Sequence, residues 1–151
     1  MPTPAPIPAP NGAPGSRVAI VCRLGEAERE AASAFVTQLG LEPLSIGDPS
    51  NDADGKFIDR LDGLRDLDYA IVMLPADEPG GLRPGLLLAL GFLLGAAGPG
   101  RVCFVVSGKA QLAPELDGIA RHSLDEGGLW RLLLAREMKQ AGLDVDMNRA
   151  L

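Results

Sequence analysis

Three clusters of polar residues stand where an α/β chain would keep its reactive groups. Asp77, Glu78 and Arg83 follow the strand-like run YAIVML, Tyr69 to Leu74. Carboxylates and a guanidinium on the loop after a buried strand suit contact with a polar ligand, or a solvated loop. Arg23-Leu24-Gly25 joins the run RVAIVC to a helical pattern; a short glycine turn there leaves helix N–H groups that can hold a phosphate, or is plain turn geometry. The loop 47–55, GDPSNDADG, offers Asp48, Asn51, Asp52 and Asp54. That spacing resembles part of a calcium loop but lacks its glycine and closing glutamate, so solvated turn residues are expected and no metal site is assigned. His122 is the sole histidine, and Ser107 and Ser123 stand in no fixed relation to it. A Ser-His-Asp site is therefore not expected. The stretch GLLLALGFLLG, Gly85 to Gly95, is defined by what it lacks: it carries no titratable group at all.

These groups need a scaffold, and the hydropathy pattern supplies one. RVAIVC (Arg17 to Cys22), YAIVML and RVCFVV (Arg101 to Val106) are short, almost wholly apolar runs, as strands buried on both faces are. LEPLSI (Leu41 to Ile46) reads as a shorter strand whose Pro43 points to a sheet edge. A weak fifth strand is expected near Gly118 to His122. Between them lie helical patterns. The first runs from Glu26 to Leu39, with Ala27, Ala31, Ala34, Phe35 and Leu39 inward and Gly40 as its stop. A short one spans Lys56 to Leu64, with Phe57, Ile58 and Leu61 inward. Gly85 to Gly95 is apolar nearly all round, so it belongs in a core or an interface. The last runs from Leu129 to Ala141, with Trp130, Leu133, Leu134 and Met138 inward and Gly142 after it.

Alternating strands and helices imply right-handed crossovers and a parallel sheet covered on both faces. The expected fold is a flavodoxin-like α/β three-layer sandwich, its five-stranded sheet ordered 2-1-3-4-5. Ligands would bind beyond the carboxyl ends of strands one and three. That brings residues 22–26, the 47–55 loop and the 74–83 loop around one crevice.

The chain has 151 residues, 46% of them hydrophobic and 4% aromatic, which suffices for one domain with a core of aliphatic residues. Residues 1–16, MPTPAPIPAPNGAPGS, form a Pro/Ala-rich tail expected to be disordered, and residues 17–151 form the domain. A net charge of -6 leaves no basic footprint for nucleic acid and disfavours anionic membranes. No apolar run reaches the ~20 residues of a membrane span. Cys22 and Cys103 fit two buried thiols in a reducing compartment, and a cytoplasmic location is expected. No GxGxxG and no GxxxxGK[ST] pattern occurs. An aspartyl-phosphate site would need acids at the end of the first strand, where Cys22 and Arg23 stand instead.

The order of the motifs VAIVC, EAEREAASAFVTQLGLEPLSI, DPSND, LRDLDYAIVMLPADE, LLLALGFLLG and RVCFVV, with the ending PELDGIA…GGLWRLLLAREMKQAGLDVDMNRAL, resembles the prokaryotic TIR-like family. These are the nucleotide-binding TIR domains of Pycsar and STING-type anti-phage effectors. The resemblance covers Arg17 to the C-terminus. It implies cleavage of NAD at the nicotinamide–ribose bond, with no cofactor required and NAD as substrate or ligand. It also implies a glutamate on the helix after the third strand, in a pattern like NVIFELGFF. Here that pattern reads GLLLALGFL: Ala89 holds the glutamate position and Gly85 the asparagine position. Arg23-Leu24-Gly25 replaces the family's His-Gly or Ser-type segment, and no Arg-Thr follows Asn51. Nucleotide contacts are expected at Arg23, Leu24, Gly25, Asn51, Asp77 and Arg83, around the crevice; no catalytic residue is carried over from the family.

The chemistry makes Ala89 decisive. Glycosidic cleavage passes through a cationic ribosyl transition state that a carboxylate steadies, and a methyl group supplies neither charge nor hydrogen bond. The first reading is a catalytically degenerate domain, a pseudoenzyme that works by self-association or by pairing with a protein partner. The alternatives are an active NAD hydrolase using Asp77 or Glu78, an NADase inactivated by substitution at Ala89, and, more distantly, a deoxyribosyltransferase-like enzyme.

Overall fold

Strand β1 (Arg17–Cys22) lies inside the sheet, between two other strands. Val18 to Val21 are fully buried, so both faces of the strand need cover. The computed structural model describes residues 16–46, 56–75, 84–107, 116, 118–125 and 127–150. Within them the chain runs β1, α1 (Glu26–Gln38), β2 (Glu42–Ile46), α2 (Phe57–Asp62), β3 (Tyr69–Pro75), α3 (Pro84–Ala97), β4 (Val102–Ser107), β5 (Ala120–Leu124) and α4 (Leu129–Gln140). Single 3-10 turns span Pro99–Arg101 and Met147–Ala150.

The five strands form one sheet in the order β2-β1-β3-β4-β5, and every pair is parallel. Ala19 pairs with Leu44 on one side and Ala70 on the other, and Val72 pairs with Phe104. This is the flavodoxin-like three-layer sandwich expected, with Pro43 on an edge strand. The two-residue period of each strand splits the core in two. Val18, Ile20, Tyr69, Ile71 and Cys103 face α1 and α4. Ala19, Val21, Ala70, Val72 and Phe104 face α2 and α3. On the first side Phe35 and Trp130 meet edge-to-face, ring centroids 6.0 Å apart, tying α1 to α4.

Several local expectations are corrected. The buried stripe of α1 is Ala32, Phe35, Val36 and Leu39, while Ala27 and Ala34 are exposed. Ala32, Phe35, Val36 and Leu39 at i, i+3, i+4 and i+7 define that face, and Ala27 and Ala34 fall beside it. In α2, Phe57 and Leu61 point inward four residues apart, but Ile58, one residue round the helix, is 62% exposed. Helix α3 runs through Gly95 to Ala97. It stops at Gly98, whose φ of 93° only glycine adopts readily and whose N–H donates to the Leu94 carbonyl. Strand β5 starts two residues late, because the Ile119 N–H closes a turn on the Leu116 carbonyl. In α4, Leu133 is only half-buried and Ala135 takes its place.

Ser16, read with the tail, is buried, and its carbonyl accepts the Glu42 N–H at 2.8 Å. The remaining tail, residues 1–15, and the 47–55 and 76–83 loops lie outside the described residues.

Candidate functional site

The crevice begins where β1 and β3 end side by side. Pairing of Cys22 with Met73 is carried one step further, for the Arg23 N–H donates to the Met73 carbonyl at 2.9 Å. That bond extends the β1–β3 ladder to Arg23, at the carboxyl edge of the sheet. The Cys22 thiol then donates to the Gly25 carbonyl at 3.6 Å, closing the turn. The same carbonyl accepts the Arg29 N–H at 3.1 Å, the first bond of α1.

The charge on this helix end is negative. Glu26 and Glu28 occupy its first turn, where the helix dipole favours carboxylates. Glu26 is ion-paired with Arg29. A Cβ added to Gly25 would stand 2.8 Å from a Glu28 carboxylate oxygen, so Glu28 folds back against the turn and glycine is what leaves it room. A phosphate brought to this helix end would meet two carboxylates, and of the described cations nearby Arg29 is already paired with Glu26, while Arg23 stands at the end of β1. Leu24 is partly buried against the α1/α4 side of the core, so its side chain serves packing.

Ala89 lies on the opposite layer. It is fully buried, and with Leu86, Leu90 and Leu93 it forms the sheet-facing stripe of α3, packed in one apolar cluster with Val72, Leu74 and Phe104. Position 89 is therefore a core position here. Of the other residues assigned to the site, Arg23, Leu24 and Gly25 stand between the carboxyl end of β1 and the start of α1. Asn51, Asp77, Glu78 and Arg83, together with Asp48, Asp52 and Asp54, lie outside the described residues. Among the described residues, no group of three His, Cys, Asp or Glu side chains could hold a metal ion.

His122 and Ser123 are successive residues of β5 and project to opposite faces of the sheet. His122 instead faces α4, where its Nε2 lies 3.9 Å from Glu137 Oε1. A second buried polar pair sits nearby, Tyr69 on β3 and Cys103 on β4. Burial pushes the Cys103 thiol up to about 12, with the Tyr69 hydroxyl pulling it down and Glu137 pushing it up. Burial likewise raises the Tyr69 hydroxyl, helped by Cys103 and Glu137. Neither group is reactive near neutral pH: thiolate, not thiol, is the nucleophile.

Sequence reading missed a surface groove between α2 and α3. It has a volume of about 450 Å3, and Ile58, Leu61, Leu87, Leu88, Gly91 and Phe92 line it. Leu87 and Leu88 are half exposed. The signal was present in the sequence: a helix apolar all round cannot bury every side against one sheet.

No family model matches the chain. The uncharacterized protein YuaY of Escherichia coli K12 is 26% identical over 133 residues, which take in 81% of this chain and 44% of YuaY. The chain thus spans less than half the length of that relative. Among solved structures, the metal-soaked flavodiiron core of Flv1 from Synechocystis sp. PCC6803 aligns with 74% of this chain and 30% of its own. Its TM-score is 0.48 at 15% identity.

Proposed function

We propose that this chain is a TIR-like domain that no longer cleaves NAD and acts by association, in the cytoplasm, with a second copy or a protein partner. One observation carries the reading: Ala89, in the place of the family's glutamate, is fully buried in the apolar cluster between α3 and the sheet. A methyl group there neither reaches a ligand nor stabilises a ribosyl cation, and loss of one such stabilising group costs on the order of 10²-fold or more in rate. The carboxylates of Glu26 and Glu28 at the mouth of the crevice further weaken it as a dinucleotide site. Two free, buried cysteines agree with a reducing compartment.

The test is incubation of the purified chain with NAD while nicotinamide release is followed. No release above the background rate is expected. Release that disappears in Asp77→Asn or Glu78→Gln would replace this reading with that of an active hydrolase served by the loop after β3.

A further inference from the structure

We propose that His122 and Glu137 form a proton-gated clasp that fastens the edge strand β5 to α4, closed when the imidazole is charged and slack when it is neutral. The inference is independent of the NAD reading, since neither residue belongs to the β1–α1 junction or to α3.

The first argument is the place of β5. It is the last strand of the sheet, with a ladder to β4 on one side only. Its residues alternate, Ala120, His122 and Leu124 half-buried, Arg121 and Ser123 exposed. Ala120 and Leu124 pack against the cluster beneath α1 and α4. The strand thus offers the core one methyl group, one isobutyl group and, between them, an imidazole. Little apolar area holds it down, and a strand with few buried apolar contacts opens locally at low cost. A polar contact to α4 therefore weighs more here than it would in β1 or β3.

The second argument is the geometry of the pair. The His122 side chain is 12% exposed, and its Nε2 is wholly buried with no hydrogen-bond partner among the described residues. A buried polar atom left in that state is costly. Glu137 Oε1 lies 3.9 Å away, too far for a hydrogen bond but within ion-pair range. Either tautomer of the neutral ring leaves Nε2 unsatisfied. A charged ring turns Nε2 into a cationic donor facing a carboxylate, in surroundings that screen the attraction less than water does. Glu137 is 34% exposed, so its side chain has room to move onto the ring.

The third argument is that the other titratable groups around the pair stay silent near neutral pH. Glu137 is the only acidic residue of α4, and the helix's other charges, Arg131, Arg136 and Lys139, are exposed. On β5, Arg121 projects to the opposite face of the sheet. From β4 comes Cys103, and beyond it Tyr69 of β3, both within the influence of Glu137. Burial keeps these two protonated well past neutrality, Cys103 up to about 12. Imidazole is the side chain that ordinarily changes charge between about pH 5 and about pH 8, where a carboxylate ordinarily stays ionised. The attraction is thus present on the acid side of that range and absent on the alkaline side.

The experiment is a double-mutant cycle in the full chain: His122→Leu, Glu137→Gln and the two together. It is read by amide hydrogen exchange in β5, corrected for intrinsic rates, at about pH 5.5 and about pH 8. Burial opposes a charged imidazole while a facing carboxylate favours it, so the coupling between the two residues, rather than total stability, isolates the contact. At the lower pH the coupling should protect the β5 amides by about threefold to tenfold, and at the higher pH by less than about twofold, with the amides of β1 unchanged. Equal coupling at both pH values would make the contact one of packing and overturn the clasp. No coupling at either pH overturns it as well. Should a variant fail to fold, the unmutated chain supplies a second measurement. His122 is the sole histidine, so its ring signals stand alone in a nuclear magnetic resonance titration. The Glu137 carboxyl carbon should shift in step with that ring, as coupled sites do. A Glu137 signal that stays flat while the ring titrates overturns the proposal.

Discussion

Position 89 concentrates the functional question in one side chain. Under the proposed TIR-like reading, placing a glutamate there would be the natural rescue if Ala89 faced a cleft. Ala89 is fully buried beside Leu86, Leu90 and Leu93, however, and faces the sheet. A carboxylate inserted at that point has no partner in the apolar cluster and no room in a packed interior. Ala89→Glu is therefore expected to lose about 3 kcal/mol or more of stability and to gain no nicotinamide release. At roughly 2–4 °C per kcal/mol for a chain of this size, the melting temperature should fall by ~10 °C. A stable Ala89→Glu protein that turned over NAD would mean that α3 rotates its 89 side toward the crevice. Charge placement elsewhere follows the same logic of residue and surroundings. Asp125 accepts the N–H groups of Leu129 and Trp130 at 3.2 and 3.0 Å, and no side chain at Gly128 can do so. Removing it in Asp125→Ala exposes two orphan donors at the start of α4 and should cost about 1 kcal/mol, read as a shifted denaturant midpoint with an unchanged slope.

At the scale of elements, α3 and α2 show what periodicity reveals and where it stops. Strands β1, β3 and β4 were legible because buried parallel strands leave uninterrupted apolar runs; alternation with helices implied parallel pairing, while the order 2-1-3-4-5 was the default for five such strands. Phe57 and Leu61 were legible as an inward pair, but Ile58 was misplaced, since hydrophobicity alone assigns a six-residue helix no outer face. The stripe of α1 slipped for a related reason: alanines occur at many positions of the helix, and only Phe35, Val36 and Leu39 report where the sheet lies. For α3 the sequence offered no polar face at all, so which leucines stay exposed depends on the register against Val72 and Phe104, a tertiary quantity. The site was less legible than the fold. Arg23 and Gly25 could be placed at the crevice from the strand–helix junction, but the recoil of Glu28 onto Gly25 is a rotamer choice that spacing does not encode. One consequence of α3 is measurable. Gly91→Ala and Gly95→Ala add a methyl to open space and remove a flexible residue from a helix. Each should stabilise the chain by about 0.5–1 kcal/mol, read as a raised denaturant midpoint. An unchanged or lowered midpoint would mean that the outer side of α3 is not open at these positions.

For the whole molecule, the layers are joined through the sheet, and one polar pair inside it ties cooperative unfolding to proton release. Tyr69 and Cys103 lie on adjacent strands, 1% and 0% exposed, on the face covered by α1 and α4. Tyr69 and Cys103 influence each other's proton affinity, and burial raises both groups above their ordinary values of 10.0 and 9.0. The sign follows from linkage. A group that holds its proton more tightly when folded contributes its full stability below the unfolded value and loses it as pH rises through the folded one. For Cys103 that window runs from 9.0 to about 12. Stability should therefore fall steadily above pH 9, with little change from this pair below it. Cys103→Val removes one of the two protons at stake and should flatten the alkaline limb of a plot of melting temperature against pH. Tyr69 is the only tyrosine in the chain, which makes it a global reporter. Its phenolate absorbance should rise together with the loss of far-ultraviolet circular dichroism, because the ring cannot ionise while α4 covers the sheet. A phenolate signal that appeared near pH 10 with the circular dichroism intact would place Tyr69 in contact with solvent and separate α4 from the cooperative unit.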